Sequence, residues 1–108
     1  MSVFARTHVL ETTPEAHDRG LELLDDLLPW LRETTGYRGM VRLASKDRST
    51  TVVITFWADE AAMAESEASG RTVGGLAAEA AGAKRVALHD YEVTFSDIAL
   101  EPDAARDS

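Results

Sequence analysis

Thr50-Thr51-Val52-Val53-Ile54-Thr55-Phe56-Trp57 is β-branched or aromatic at all of its positions. Two residues later the chain becomes helix-forming, with Asp59 placed as N-cap of Glu60-Ala61-Ala62-Met63. Strand alternation sends Val52, Ile54 and Phe56 to one face, and Val53, Thr55 and Trp57 to the other. Neither face carries a charge. A strand apolar on both faces has to be covered on both. With 108 residues the chain has helices enough for one face, so the expected cover for the other is a second copy.

The flanking segments supply the rest of a sheet. Val3 to Leu10 reads as a first strand, with Val3, Ala5, Thr7 and Val9 on one face and Phe4, Arg6, His8 and Leu10 on the other. Thr13 offers an N-cap and Pro14 suits the first helical position. The helix that follows carries its stripe at Leu24, Leu27, Leu28 and Leu31, flanked by Leu21, Leu23 and Trp30. Gly36 is the expected left-handed stop. Tyr37 to Ala44 reads as the second strand, and Ser45-Lys46-Asp47-Arg48-Ser49 as the hairpin turn into Thr50–Trp57. The second helix is expected to run to Gly70, a short third helix from Val73 to Ala81, and the fourth strand from Val86 to Phe95.

Strand–helix–strand–strand–helix–strand is the ferredoxin-like βαββαβ order, an α+β fold whose antiparallel sheet carries its helices on one face. Pairing two bare sheet faces gives a dimeric α/β barrel and a homodimer. We assign residues 1–98 to this domain and 99–108 to a flexible acidic tail.

Composition removes several function classes. A net charge of -8 and a pI near 4.7 lack the basic footprint that nucleic acid or an anionic membrane surface requires. No apolar run approaches a membrane span and no signal peptide is evident, so a cytoplasmic location is expected. There is no cysteine, hence no disulfide and no thiolate chemistry. There is neither asparagine nor glutamine, so no side-chain amide orients a substrate or stabilises an oxyanion. Three scattered histidines give no local metal-ligand spacing, and neither a phosphate loop nor a dinucleotide fingerprint is present.

Thr34-Thr35-Gly36-Tyr37-Arg38-Gly39, the strand ending in Phe56-Trp57, the run Asp59-Glu60-Ala61-Ala62-Met63-Ala64-Glu65-Ser66 and the late Tyr91-Glu92-Val93 together resemble the antibiotic biosynthesis monooxygenase superfamily, over about residues 3–96. The resemblance implies a dimeric α/β barrel with a small-molecule pocket between sheet and helices. It also implies, for some members, cofactor-free oxidation of aromatic polyketides by dioxygen. In quinone-forming members an asparagine stands four residues before the strand tryptophan, where this chain has Val53, and a tyrosine follows where it has Met63. Haem-degrading members place an asparagine near Thr7 and a histidine near Glu67, and the chain matches neither. Trp57 alone carries over.

Each candidate has a structural reading beside its functional one. Trp57 is either a core aromatic or a platform for a flat aromatic ligand. His89, and after it His8, is the candidate proton acceptor, against a structural or solvated role. If Thr7 faces the pocket as a lining residue, His8 and Arg6 have the opposite parity from Trp57 and turn to the dimer interface. His17, on the polar start of the first helix, is expected to be solvated. Tyr91 and Tyr37 are rim aromatics or donors to a ligand carbonyl. Arg6, Arg38 and Arg42 interrupt apolar strands and need carboxylate partners, from a second subunit or an acidic ligand.

Two functions from different classes follow. One is a cofactor-independent monooxygenase, needing neither metal nor organic cofactor, that oxidises an electron-rich aromatic with dioxygen. The other is a non-catalytic dimeric binding or accessory protein. A non-oxidative isomerase or cyclase is a weaker third.

Overall fold

Asp47 closes the turn between residues 45 and 49. Its carboxylate accepts from the Ser49 amide at 3.0 Å, the Ser49 hydroxyl at 2.7 Å and the Ser45 hydroxyl at 2.9 Å, bonds that hold its pKa down at about 2. Arg48 completes the turn in the left-handed region, φ 63°. The strands so joined are β2 (Tyr37–Ala44) and β3 (Thr50–Trp57), with the limits expected from their sequences. The computed structural model describes residues 2–65 and 82–100. These include β1 (Phe4–Glu11), α1 (Pro14–Arg32), β4 (Lys84–Glu92) and the start of a second helix, α2, over 60–65.

The caps form as their residues dictate. The Thr13 hydroxyl accepts from the Ala16 amide at 3.1 Å, with Pro14 at the helix start. The Asp59 carboxylate accepts from the Ala62 amide at 2.7 Å, so a strand becomes a helix within two residues. The end of α1 differs from expectation. Glu33 is its C-cap in right-handed conformation, and Gly36, left-handed at φ +84°, instead turns the chain into β2. A Cβ on Gly36 would lie 2.4 Å from that of Ala62, so glycine is required both for the backbone and for the approach of α2.

The sheet order is β2-β3-β1-β4, antiparallel throughout, which is the ferredoxin-like α+β arrangement. β1 and β3 pair without interruption from Phe4↔Trp57 to Glu11↔Thr50. Both flanking pairings shift register, β2–β3 between Tyr37 and Gly39 and β1–β4 between Val9 and Leu10. β4 begins two residues earlier than expected, because Lys84 and Arg85 still pair with Glu11 and Leu10. It ends at Glu92, leaving Phe95 83% exposed beyond it.

Directly opposed residues share a face, so the register sorts the sheet. Phe4, Arg6, His8 and Leu10 stand with Thr51, Val53, Thr55 and Trp57 on the helix-facing side, where Arg6, Leu10, Thr51, Thr55 and Trp57 are buried. Against them α1 sets the stripe Ala16, His17, Gly20 and Leu31, all buried, with Leu24, Leu27 and Leu28 half-buried between. α2 adds buried Met63. The opposite face carries Thr7, Val9, Val41, Leu43, Val52, Ile54 and Phe56. Apart from Ala5, all its described residues are half-buried or exposed. The expected continuation of α2 to Gly70, the helix Val73–Ala81 and the tail from Glu101 lie outside the described residues. No described helix is long and apolar enough to cross a membrane.

Candidate functional site

Trp57 ends β3 on the helix-facing side at 3% exposure. Its indole N–H donates to the Thr55 hydroxyl at 3.0 Å, and that hydroxyl lies 3.5 Å from the Arg6 carbonyl to which it donates. With its nitrogen engaged within the strand, Trp57 presents only ring surface to anything beside it. Tyr37, opposite it on β2, meets it edge-on with centroids 5.7 Å apart and planes at 73°. Burial raises the Tyr37 phenol pKa, against a smaller opposing effect of Arg32.

Arg6 runs along the same face into a two-pronged ion pair with Asp90 of β4, Nε to Oδ1 at 2.8 Å and Nη2 to Oδ2 at 3.0 Å. The carboxylate expected from a second subunit or a ligand is thus found in the same chain. The pair lowers the Asp90 pKa, chiefly through the hydrogen bonds from Arg6. Arg42 donates instead to the His17 carbonyl at 3.0 Å, and Arg38 is exposed.

His8 stands next to Arg6's place on this face, opposite Val53 and Leu88. Arg85 Nη1 lies 3.4 Å from its Nδ1. Burial, then Arg85 and Arg6, lower the His8 pKa to about 4, with Asp90 opposing them. The imidazole is therefore neutral at pH 7.

The register divides the sequence-derived candidates in two. His8, Trp57 and Tyr37 share the helix-facing side. Thr7 and His89, which are direct partners, and Tyr91, opposite Ala5, occupy the other face. There the His89 and Tyr91 rings lie 6.2 Å apart, and both residues are exposed. With Thr7 turned away from the helices, His8 has the parity of Trp57.

His17 departs from its expected solvated position. It is 7% exposed, and its Nδ1 lies 2.9 Å from the hydroxyl of fully buried Thr51. Burial, Arg42 and Arg48 lower its pKa. It belongs to a polar knot with Thr12 at the far end of the sheet from Trp57. Two further residues join the candidate site, Thr55 and Arg85. Thr55 had a signal in its strand parity with Trp57, whereas Arg85 had none.

Among the described residues no three His, Asp or Glu side chains converge as metal ligands. An open depression of about 460 Å3, lined by Thr35, Gly36, Tyr37, Asp59, Ala62 and Glu65 among others, lies where β2 and α2 begin.

Comparison with known proteins adds to this geometry. Residues 4–72 match the family model for antibiotic biosynthesis monooxygenase. No curated protein sequence matches. The NE2512 protein of unknown function from Nitrosomonas europaea superposes with a TM-score of 0.66 at 21% identity, covering 94% of this chain and 98% of that one. The ActVA-Orf6 monooxygenase of Streptomyces coelicolor, solved with nanaomycin D, gives 0.67 at 19%, covering 93% of each chain. SnoaB, a cofactor-independent oxygenase from Streptomyces nogalater, gives 0.63 at 14%, covering 94% and 100%. At such identities the likeness speaks for the fold alone.

Proposed function

This chain belongs to the antibiotic biosynthesis monooxygenase family, and from that premise we propose that it is a cytoplasmic, homodimeric, cofactor-independent monooxygenase of an electron-rich aromatic molecule. The observation that carries the reading is the grouping of Trp57, Tyr37 and His8 on the helix-facing side of the sheet. Trp57 offers ring surface to a flat substrate, Tyr37 orients a substrate oxygen, and His8 contacts the oxygen that ionises. Loss of a proton from the substrate raises its electron density, and the resulting carbanion reduces dioxygen. One oxygen atom remains on carbon as a carbonyl and the other leaves as water, so an anthrone-like CH2 becomes a quinone C=O. His89, the alternative histidine, stands with Thr7 and Tyr91 on the outer face, which we assign to the second copy.

The test is oxygen uptake with anthrone and dihydroxynaphthalene substrates in chelator-treated buffer. Uptake that needs folded protein and falls at least tenfold in Trp57→Phe and His8→Gln supports the reading. Uptake no faster than buffer, while the same compounds bind, supports a non-catalytic binding protein. That second reading is favoured by one observation, the absence of any side-chain amide in the chain, with Val53 at the position where the family resemblance implies an asparagine in quinone-forming members.

A further inference from the structure

We propose that Arg85 fixes the tautomer of His8, so that His8 meets a ligand on the helix-facing side as an Nε2–H donor and not as a proton acceptor. The inference rests on the reading that this side holds the site, and it makes Arg85 a positioning residue.

The backbone puts Arg85 there. Pairing of β1 with β4 runs regularly from Phe4↔Glu92 to Val9↔Ala87, then skips Val86 so that Leu10 meets Arg85. Without that extra residue Leu10 would meet Val86, and Arg85 would fall opposite Glu11 on the outer face. The bulge turns Arg85 through to the face of Leu10 and His8. Val86, the residue left over, is 48% exposed.

The chemistry then follows from the donor inventory. A guanidinium has N–H groups and no acceptor, and it stays charged throughout the accessible pH range. Its approach to His8 Nδ1 at 3.4 Å, long for a hydrogen bond, has only one favourable sense, with Nδ1 supplying the lone pair. A neutral imidazole that accepts at Nδ1 carries its proton on Nε2. Among the described residues, the charged groups facing His8 are Arg6 from β1 and Arg85 and Asp90 from β4, while β3 presents Val53. The two cations and burial disfavour the imidazolium. The ligand group suited to this arrangement is an oxygen acceptor, a carbonyl or the oxygen of an ionised phenol. When a phenol ionises there, its O–H bond breaks and the electron pair stays on oxygen under the Nε2–H. The proton departs to solvent.

Nitrogen-15 NMR of the labelled full chain tests this, with the His8 ring assigned by its absence in His8→Gln. At pH 7 the wild-type ring is expected to show the Nε2–H form, with an Nδ1 shift characteristic of an accepting nitrogen. Arg85→Met is expected to lose that Nδ1 signature and to raise the titration midpoint by about one unit. Arg85→Lys, which keeps a donor, restores the signature. An Nδ1–H form in the wild type, or an unchanged Nδ1 shift in a folded Arg85→Met protein, would overturn the proposal. A ligand readout uses 1-hydroxyanthraquinone, whose colour reports ionisation. Bound to wild type it is expected to ionise at lower pH than on Arg85→Met, and equal midpoints count against the donor role. Oxygen uptake is a separate measurement. Its absence with the tautomer intact sinks the monooxygenase reading alone, and its presence with the tautomer reversed sinks this inference alone.

Discussion

Trp57 and Thr55, two residues apart on one strand, are joined by a 3.0 Å hydrogen bond from indole to hydroxyl. It spends the only polar atom of the largest buried ring within β3 and leaves the ring's surface as what that residue contributes.

Thr55→Val keeps the shape of the side chain and strands the indole N–H. The expected loss is about 1–3 kcal/mol, the cost of an unsatisfied buried donor. Urea unfolding in a Trp30→Phe background gives the stability, and the remaining tryptophan's fluorescence reports the same site. A change smaller than the error of the titration would mean that the bond contributes little.

Gly36→Ala meets two penalties, the left-handed backbone at φ +84° and the overlap with Ala62. Together they are expected to cost about 2–4 kcal/mol. Adding Ala62→Gly removes the overlap and leaves the backbone strain, so the double variant should recover part of the loss and no more. Full recovery would show that strain at Gly36 is unimportant.

Acid should weaken the fold in two stages. The His8 pKa is depressed from 6.5 to about 4, so between those values the unfolded chain binds a proton that the folded one does not. Stability is therefore fully present above pH 6.5 and is lost as pH falls toward 4, by ~2–3 kcal/mol. His17, shifted in the same direction, adds to the slope. Asp90, also depressed, removes further stability from the ordinary carboxylate range downward. His8→Gln should flatten the upper stage and spare the lower, as followed by urea midpoints at half-unit pH steps. An unaltered slope would place the histidine contribution elsewhere.

Two apolar residues on opposite faces should behave differently. Ile54→Glu, on the outer face opposite Thr7 and Val41, is expected to give a folded monomer by light scattering and circular dichroism. Leu10→Ala, 6% exposed on the helix-facing side, is expected to lose about 2–4 kcal/mol while staying dimeric at high protein concentration. An Ile54→Glu protein that remains a dimer would rule out the outer face as the proposed dimer interface.

The sequence was most legible where the physics is local. Thr13 and Asp59 announce their helices because an N-cap needs only its own side chain and an amide three residues on. β2 and β3 kept their expected limits because the Ser45–Ser49 turn bounds both. What was hidden depends on pairing. Parity separates Thr7 from His8, but only the β1–β3 register shows which of them shares a face with Trp57. The burial of His17 follows from Thr51, 34 residues away. The Arg85–His8 contact spans 77 residues and exists only because β4 carries one residue more than its partner, a feature without a mark in the sequence. The start of β4 was obscured by Lys84 and Arg85, whose charges suit an edge strand.

The placement of the two register shifts decides where such a chain can change length. Both lie in the outer pairings, and β1 with β3 has none across its eight matched positions. One residue gained in β2 or β4 is absorbed locally and re-aims a neighbour. The same gain in β1 or β3 would exchange the two faces along the rest of that strand, trading His8 for Thr7 and Trp57 for Phe56. Insertions in this architecture should therefore be confined to the outer strands and the loops, and new side chains should enter the helix-facing side from its margins inward.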